Sequence, residues 1–142
     1  MKNLMVNGTF SHDLMMEVLA EMYPQLKPGR DYCAGHMIDP TDESGHGEPF
    51  IMYWRPTDIE KPDSEAVAAE FHANEEKYRA RFARRFRNAC LEWSDAKMVA
   101  PADAPKMLSA RTNSWASYRQ ALRDIPAQAG FPMDIDWPEL PG

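Results

Sequence analysis

The sequence predicts an α+β fold in which a small N-terminal part is followed by a mostly helical remainder. A short amphipathic helix precedes two strand-like segments, and residues 64–93 carry apolar side chains at helical spacing with no glycine or proline. Twelve prolines against seven glycines predict several stiff connections, because proline interrupts helices and central strands. We therefore expect a small α/β domain at 1–62, a long helix at 63–95, and a second helix with a Pro-rich extended tail at 96–142.

The N-terminal region begins with a predicted helix and continues into two predicted strands. Ser11 is a good helix N-cap, and the helix should run to about Tyr23, because Pro24 cannot continue it. Residues 31–38 and 50–54 are rich in side chains that favour strands. We expect these strands to pair antiparallel, joined by an exposed polar loop at 40–49.

The central helix is predicted from a strong boundary and a sustained apolar stripe. Pro62 is followed by two good capping residues, and the helix should run unbroken from about Ser64 to Trp93. A helix of that length spans about 45 Å, which is more than the small N-terminal domain is expected to cover. We therefore expect part of the stripe to contact the C-terminal helix or a second copy of the chain in a homo-oligomer. The candidate residues are Phe71, Tyr78, Phe82, Phe86 and Trp93.

The C-terminal stretch changes from helical periodicity to proline punctuation within a few residues. Trp115, Tyr118 and Leu122 share one face of a helix that is predicted to begin near residue 106 and to end before Pro126. Three bulky apolar residues then follow without any periodicity: Phe131, Ile135 and Trp137. They must pack on this helix, on the rest of the chain or on a partner. We favour a mixed arrangement, in which Phe131 anchors the tail and Trp137 stays partly exposed.

The same stretch carries a recognisable motif, W-x-x-Y-R-x-A-L-R-D, followed by a proline, by Gly-Phe-Pro at 130–132 and by Trp-Pro at 137–138. Over residues 87–138 this pattern resembles the C-terminal module of the phage tail assembly chaperone family. One position departs from the family, which usually has a tryptophan after a Ser-Asp pair where this chain has Ala96; Trp93 is the candidate to substitute for it. Residues 14–60 weakly resemble an N-terminal domain of prophage tail-region proteins.

The resemblance implies a non-catalytic chaperone that binds a phage tail or tail-fibre protein in the cytoplasm of the bacterial host. The alternative is a structural component that stays in the tail or fibre of the virion. In the chaperone interpretation we expect the C-terminal helix and tail to contact the partner. The candidate partner-binding residues are Trp115, Tyr118, Arg119, Leu122, Phe131, Ile135 and Trp137.

Composition argues against several other classes of protein. A net charge of −6 is unfavourable for a general nucleic-acid binder, which needs an excess of lysine and arginine. No apolar run is long enough for a signal peptide or a membrane span, so we expect no membrane association. The two cysteines lie far apart in the sequence, and we interpret them as reduced thiols of a cytosolic protein.

Three groups of residues are candidates for chemical sites. Cys33, His36 and His46 include zinc-binding residue types, but the second cysteine pair of a structural zinc site is missing. The basic run at 77–87 follows an acidic first half of the same helix, which is typical of a solvated helix face. The alternatives for this run are contact with an acidic protein partner or, less favoured, with RNA or DNA. The acidic tail lacks the burial that separates catalytic pKa values. We therefore expect no catalytic residues, metal or cofactor. The hypothesis that the protein is an enzyme or metal-dependent hydrolase depends only on the cysteine–histidine cluster.

Overall fold

The computed structural model describes residues 9–38, 41, 45–98 and 107–142, with side chains described for 9–37, 41, 48–98 and 113–142. These parts contain four α-helices and a two-stranded antiparallel sheet, which confirms the predicted α+β class. The chain packs into two compact units. We call residues 8–82 the N-terminal unit and residues 83–142 the C-terminal unit. The predicted domain boundaries at residues 62 and 95 are placed at linkers in the sequence, whereas the two units are defined by packing. The domain boundaries stay a prediction.

The N-terminal unit opens with helix α1, His12–Met22, as predicted. Ser11 caps it, because the Ser11 hydroxyl accepts a hydrogen bond from the Leu14 amide at 3.3 Å. The last residue of α1 is Met22, and it is followed by Tyr23 and Pro24. Local capping chemistry and the proline therefore account for both ends of α1.

Two strands follow, β1 at Tyr32–Ile38 and β2 at Gly45–Trp54. The expectation that residues 45–49 belong to an exposed loop is wrong, because β2 extends back to pair Gly45 with Ile38. A register shift between Gly35 and Met37 accommodates the extra residues of β2, among them Pro49. A bulge tolerates proline, since the missing N–H is not needed by the ladder there.

The predicted single central helix is two helices, α2 at Ser64–Ala73 and α3 at Glu75–Met98. The prediction of a long central helix is confirmed by α3, but the helix is interrupted at one residue, Asn74, which has φ −133° and ψ 33°. The Asn74 side-chain amide donates to the Glu70 carbonyl oxygen at 3.3 Å and to the Glu70 carboxylate at 3.1 Å. Asparagine competes with helical hydrogen bonding in this way, and the break is shorter than one turn.

The core of the N-terminal unit lies between α1, the sheet and the α2–α3 pair. Its largest fully buried side chains are Tyr32, Tyr78, Phe71, Leu14, Met15, Leu19, Val18 and Val67. Arg81 on α3 reinforces this packing, because it forms an ion pair with the buried Glu17 of α1 at 3.1 Å. Lys77 hydrogen-bonds to Glu21 and is the main cause that holds the pKa of Glu21 below its usual value. The start of α3 therefore belongs to the N-terminal unit.

The C-terminal unit combines the second half of α3 with helix α4, Met107–Asp124, and a 3₁₀ turn, Ile125–Ala127. Pro126 ends the α-helix as predicted, since it sits in the tighter turn where no α-helical N–H is needed. The predicted contribution of Leu108 to the helix face lies outside the described side chains. In the described part of the chain, no helix is both long and apolar enough to cross a membrane.

Candidate functional site

Helix α4 places the three predicted face residues side by side in the interior of the C-terminal unit. Trp115 and Leu122 are 4% and 1% exposed, and Tyr118 is also buried. The rings of Trp115 and Tyr118 meet edge to face with centroids 5.7 Å apart. Spacings of three and four residues put them on one helix face, and burial of that face stabilises the unit.

The tail folds back onto this unit, so the expectation that Trp137 stays partly exposed is wrong. Trp137 is 6% exposed, and its ring meets Phe86 of α3 edge to face with centroids 5.0 Å apart. Ile135 is completely buried. Burial of a side chain of this size contributes about 1.5 to 3 kcal/mol, and the prolines of the segment reduce the entropy that its ordering costs.

The tail turns through a loop, residues 128–136, whose two ends are tied together. The Gln128 side chain donates to the Asp136 carbonyl oxygen at 2.8 Å and accepts from the Asp136 amide at 2.9 Å. Within the loop, the Asp134 amide donates to the Gly130 carbonyl oxygen at 2.7 Å. A Cβ atom on Gly130 would lie 2.1 Å from the Asp134 carbonyl oxygen, so this position needs glycine. The Phe131–Pro132 peptide bond in the loop is cis.

Arg119, a predicted partner-binding residue, instead joins α4 to α3 inside the unit. Its guanidinium donates to the Leu91 carbonyl oxygen at 2.5 Å and to the Ser94 hydroxyl at 2.7 Å. It also forms an ion pair with Asp95 at 2.6 Å. Ser94 is fully buried and Arg119 is only 13% exposed, so the planar guanidinium satisfies polar groups that would otherwise be costly to bury.

Burial also sets the protonation of the groups beside this helix face. Burial and the neighbouring Cys90 raise the pKa of Tyr118 to about 12. Burial likewise raises the pKa of the Cys90 thiol, although its hydrogen bond to Tyr118 opposes the shift. Both groups are neutral near pH 7. A reactive cysteine needs the opposite shift, so this pair is a packing contact and not a nucleophilic site.

Two cations lie over aromatic rings of the C-terminal unit. The Lys97 ammonium lies 5.6 Å from the ring centroid of Trp93 and 5.9 Å from that of Trp115. The Arg84 guanidinium carbon lies 5.1 Å from the ring centroid of Phe131. Such contacts contribute about 0.5 to 1 kcal/mol at exposed sites. They also hold the two charges at defined positions on the surface.

Two buried donors in this unit have no hydrogen-bond partner in the described part of the chain, namely the indole N–H groups of Trp115 and Trp137. A buried unpaired donor costs about 1 to 3 kcal/mol. The packing of the two rings has to outweigh that cost for the tail to remain in place. The indoles therefore contribute to the fold through their area and not through hydrogen bonding.

The residues predicted to contact another copy of the chain fall into two groups. Phe71, Tyr78 and Phe82 are buried within the N-terminal unit, and Phe86 is half-buried against the tail. Trp93 is different, since 55% of it is exposed although its ring also meets Trp115 edge to face. Contact with a second copy therefore stays a prediction, and Trp93 is the member of the stripe best placed to make one.

The periodicity argument missed several exposed apolar residues, because residues in loops and on a two-stranded sheet have no helical pattern. In the C-terminal unit these are Met133 and Leu140, which are 50% and 62% exposed. In the N-terminal unit Met37 and Met52 are 67% and 60% exposed. Proline punctuation around the first two was the available signal, since it marks chain that cannot be buried as a regular element.

The predicted cysteine–histidine cluster is only partly described, because the side chain of His46 lies outside the described residues. His36 accepts a hydrogen bond from the His12 amide at 3.0 Å through its Nε2 atom, so it serves as a second cap for α1. Among the described residues, no group of three or more histidine, cysteine or acidic side chains is arranged to hold a metal ion.

Comparison with protein families identifies two adjacent matches. Residues 80–142 match the model of the phage tail assembly chaperone protein family, which includes the predicted range 87–138. Residues 15–79 match the model of the XkdW protein family, which overlaps the weaker resemblance of residues 14–60. No curated protein and no solved structure matched the chain. The chain thus resembles phage tail assembly chaperones, and that resemblance supports a role in phage tail assembly.

Proposed function

We propose that this protein is a chaperone of phage tail or tail-fibre assembly, which binds a tail or fibre protein non-covalently and catalyses no reaction. The observation that carries the proposal is the match of residues 80–142 to the chaperone family. The matched range includes residues 83–142, which form the described part of one compact unit. The neutral Cys90–Tyr118 pair is consistent with a binding role.

The buried residues of the motif suggest how the unit would bind its partner. The predicted contacts Trp115, Leu122, Ile135 and Trp137 pack against the unit itself, so we assign them the role of holding the tail in place. Direct contact with a partner is better served by the exposed apolar residues around them. These are Trp93, Met133 and Leu140.

Trp93 is the strongest of these contacts on physical grounds. Tryptophan carries a large share of the energy at protein interfaces, and more than half of this side chain is free to lose water. Lys97 above the ring adds a charge at the rim. We therefore assign Trp93 to the tail-protein contact in preference to a contact with a second copy of the chain.

The general test is assembly in infected cells together with analysis of purified particles. Deletion of the gene should leave heads without complete tails or fibres, and the purified wild-type chain should bind one tail or fibre protein of the same phage. Mass spectrometry of purified virions should not find the chain. Its presence there in stoichiometric amount would favour the structural alternative, and normal tails after deletion would refute the chaperone proposal.

A matched pair of variants tests the assigned contact. Trp93→Ser should weaken binding of the tail protein about tenfold or more, because an interface tryptophan contributes about 2 kcal/mol or more. Met22→Ser is the control, since Met22 is 40% exposed but lies in the N-terminal unit. If Trp93→Ser binds the tail protein as tightly as Met22→Ser and the wild type do, Trp93 is not part of the contact.

A further inference from the structure

Arg84 has an unusual environment for an exposed arginine. It lies on the first turn of α3 that belongs to the C-terminal unit, and its guanidinium lies over the ring of Phe131. No carboxylate of the described residues pairs with it, whereas nearby Arg81 and Arg119 both form ion pairs. Its guanidinium is therefore positioned by the ring while its N–H donors stay open to solvent.

A guanidinium held in this way is prepared to bind a carboxylate. Stacking on an aromatic ring restricts the side chain but uses none of its N–H groups, which keep the planar fork that matches the two oxygens of a carboxylate. The entropy cost of fixing a free arginine is partly met before the partner arrives. Arg84 thus differs from an ordinary solvated arginine, for which a surface ion pair contributes little.

The surface beside Arg84 comes from the closed loop at 128–136, which presents the apolar side chains Phe131 and Met133 together with the exposed carboxylates of Asp134 and Asp136. Phe131 is half-buried under the guanidinium, and Met133, two residues further along the loop, is 50% exposed. The double hydrogen bond between Gln128 and Asp136 fixes the base of this loop. The loop therefore presents a flexible apolar side chain, Met133, two residues from the ring that positions the Arg84 guanidinium of α3, and methionine adapts well to varied partners.

We propose that Arg84, Phe131 and Met133 form a docking surface for a segment of the tail or fibre protein that carries a carboxylate next to an apolar side chain. The partner's carboxylate pairs with the Arg84 guanidinium, and its apolar side chain packs on Met133. The assignment rests on the proposed function, since it specifies the chemistry of the same partner. Charge complementarity selects the occupant, because Arg84 is a cation with no carboxylate partner among the described residues and its guanidinium is stacked on an aromatic ring.

A phosphate of a nucleic acid is a weaker candidate for this surface. The C-terminal unit has eight lysines and arginines against seven acidic residues, so it lacks the excess of positive charge that drives binding to a polyanion. The N-terminal unit is acidic, with seven basic against fifteen acidic residues, and repels nucleic acid at longer range. A single carboxylate requires only one well-placed guanidinium.

The test measures binding of the full-length chain to the purified tail and fibre proteins of the same phage. Arg84→Gln should weaken binding about tenfold or more, because it removes a charge-assisted contact. Arg84→Lys should recover only part of the loss, since lysine keeps the charge but not the planar fork. Arg123→Gln is the matched control, because Arg123 is an exposed arginine of the same unit and its loss should change binding by less than about twofold.

A second measurement locates the carboxylate on the partner. Overlapping short peptides that cover the bound tail protein should identify a segment with an acidic and an apolar residue, and a charge-reversed peptide should bind better to Arg84→Glu than to the wild type. Equal affinities for wild type and Arg84→Gln would overturn this inference while the proposed function stands. Wild-type binding to single-stranded DNA or RNA that Arg84→Gln removes would also overturn it. Failure of the wild-type chain to bind any tail or fibre protein would refute both proposals.

Discussion

Replacement of Trp137 by alanine tests whether the C-terminal tail belongs to the fold. The indole is 94% buried, given its 6% exposure, and it packs edge to face on Phe86. Truncation of a buried tryptophan to alanine typically costs about 3 to 5 kcal/mol through lost packing and the cavity that remains. The indole N–H is buried without an acceptor, so its removal returns about 1 to 3 kcal/mol. We expect a net loss of about 2 kcal/mol in the free energy of unfolding.

Trp137→Phe separates the two contributions to that estimate. Phenylalanine keeps an aromatic ring against Phe86 but has no N–H to leave unpaired. We expect a change of less than about 1 kcal/mol, because the lost ring area and the relieved donor act in opposite directions. A destabilisation by Trp137→Phe as large as that by Trp137→Ala would show that the hydrogen-bonding state of the indole was assigned wrongly.

Urea unfolding followed by far-ultraviolet circular dichroism measures the difference. With a denaturant slope of about 1 to 3 kcal/mol per molar urea, a loss of 2 kcal/mol lowers the midpoint by about 1 M. The signal should come from the C-terminal unit, which contains the site. A midpoint for Trp137→Ala within error of the wild type would refute the conclusion that the tail is part of the folded unit, and it would restore the exposed-anchor interpretation.

Substitutions at three further positions test other parts of the structure. Arg119→Met should lower the free energy of unfolding by about 2 kcal/mol, because it removes two charge-assisted hydrogen bonds, while the Ser94 hydroxyl still donates to the Leu91 carbonyl oxygen at 2.9 Å; Arg119→Lys should recover part of this loss in the same urea assay. Asn74→Ala should lower the melting temperature slightly if the side-chain bonds to Glu70 stabilise the helix break, whereas a rise would mean that the break is strained. The Arg30 side chain and then the Lys27 amide lower the pKa of Asp31 from 3.8 to about 2, so its stabilisation is complete above about pH 4 and is lost as the pH falls toward 2. Asp31→Asn should make the melting temperature nearly independent of pH between about pH 4 and pH 2. The same pH dependence in this variant and in the wild type would count against the pairing of Asp31 with Arg30.

Local chemistry explains which parts of the fold could be predicted from the sequence. Ser11 and Pro126 act on their own neighbours, so the start of α1 and the end of α4 follow from capping and ring sterics alone. Asn74 also acts locally, but a helix often tolerates asparagine at modest cost, and only its bonds to Glu70 identify the break. The early start of β2 depends on pairing with Ile38, which no local pattern contains.

The packing of the tail could not be decided from the sequence, because Phe131, Ile135 and Trp137 have no periodicity that assigns them to a face. Ile135 and Trp137 are buried only because the closed loop brings the chain back onto its own unit. That closure depends on the pairing of Gln128 with Asp136, two residues that no hydrophobic pattern distinguishes. Arg84 belongs to the basic run at 77–87 that the sequence indicates as a solvated helix face, and only its position over Phe131 distinguishes it from the other arginines of that run.

Buried and exposed residues of the C-terminal unit have different roles in our proposal: the buried residues define the fold, and the exposed residues would select the partner. The motif residues Trp115, Leu122 and Trp137, on which the family resemblance rests, are almost entirely inside. Residues in that position constrain shape, and a change in any of them costs stability before it changes specificity. Arg84, outside the predicted motif range, and the half-exposed Met133 can change without that cost. Under the proposed function, chains that share this motif keep the same fold and differ in their partner contacts, so we expect that the motif alone does not predict the partner.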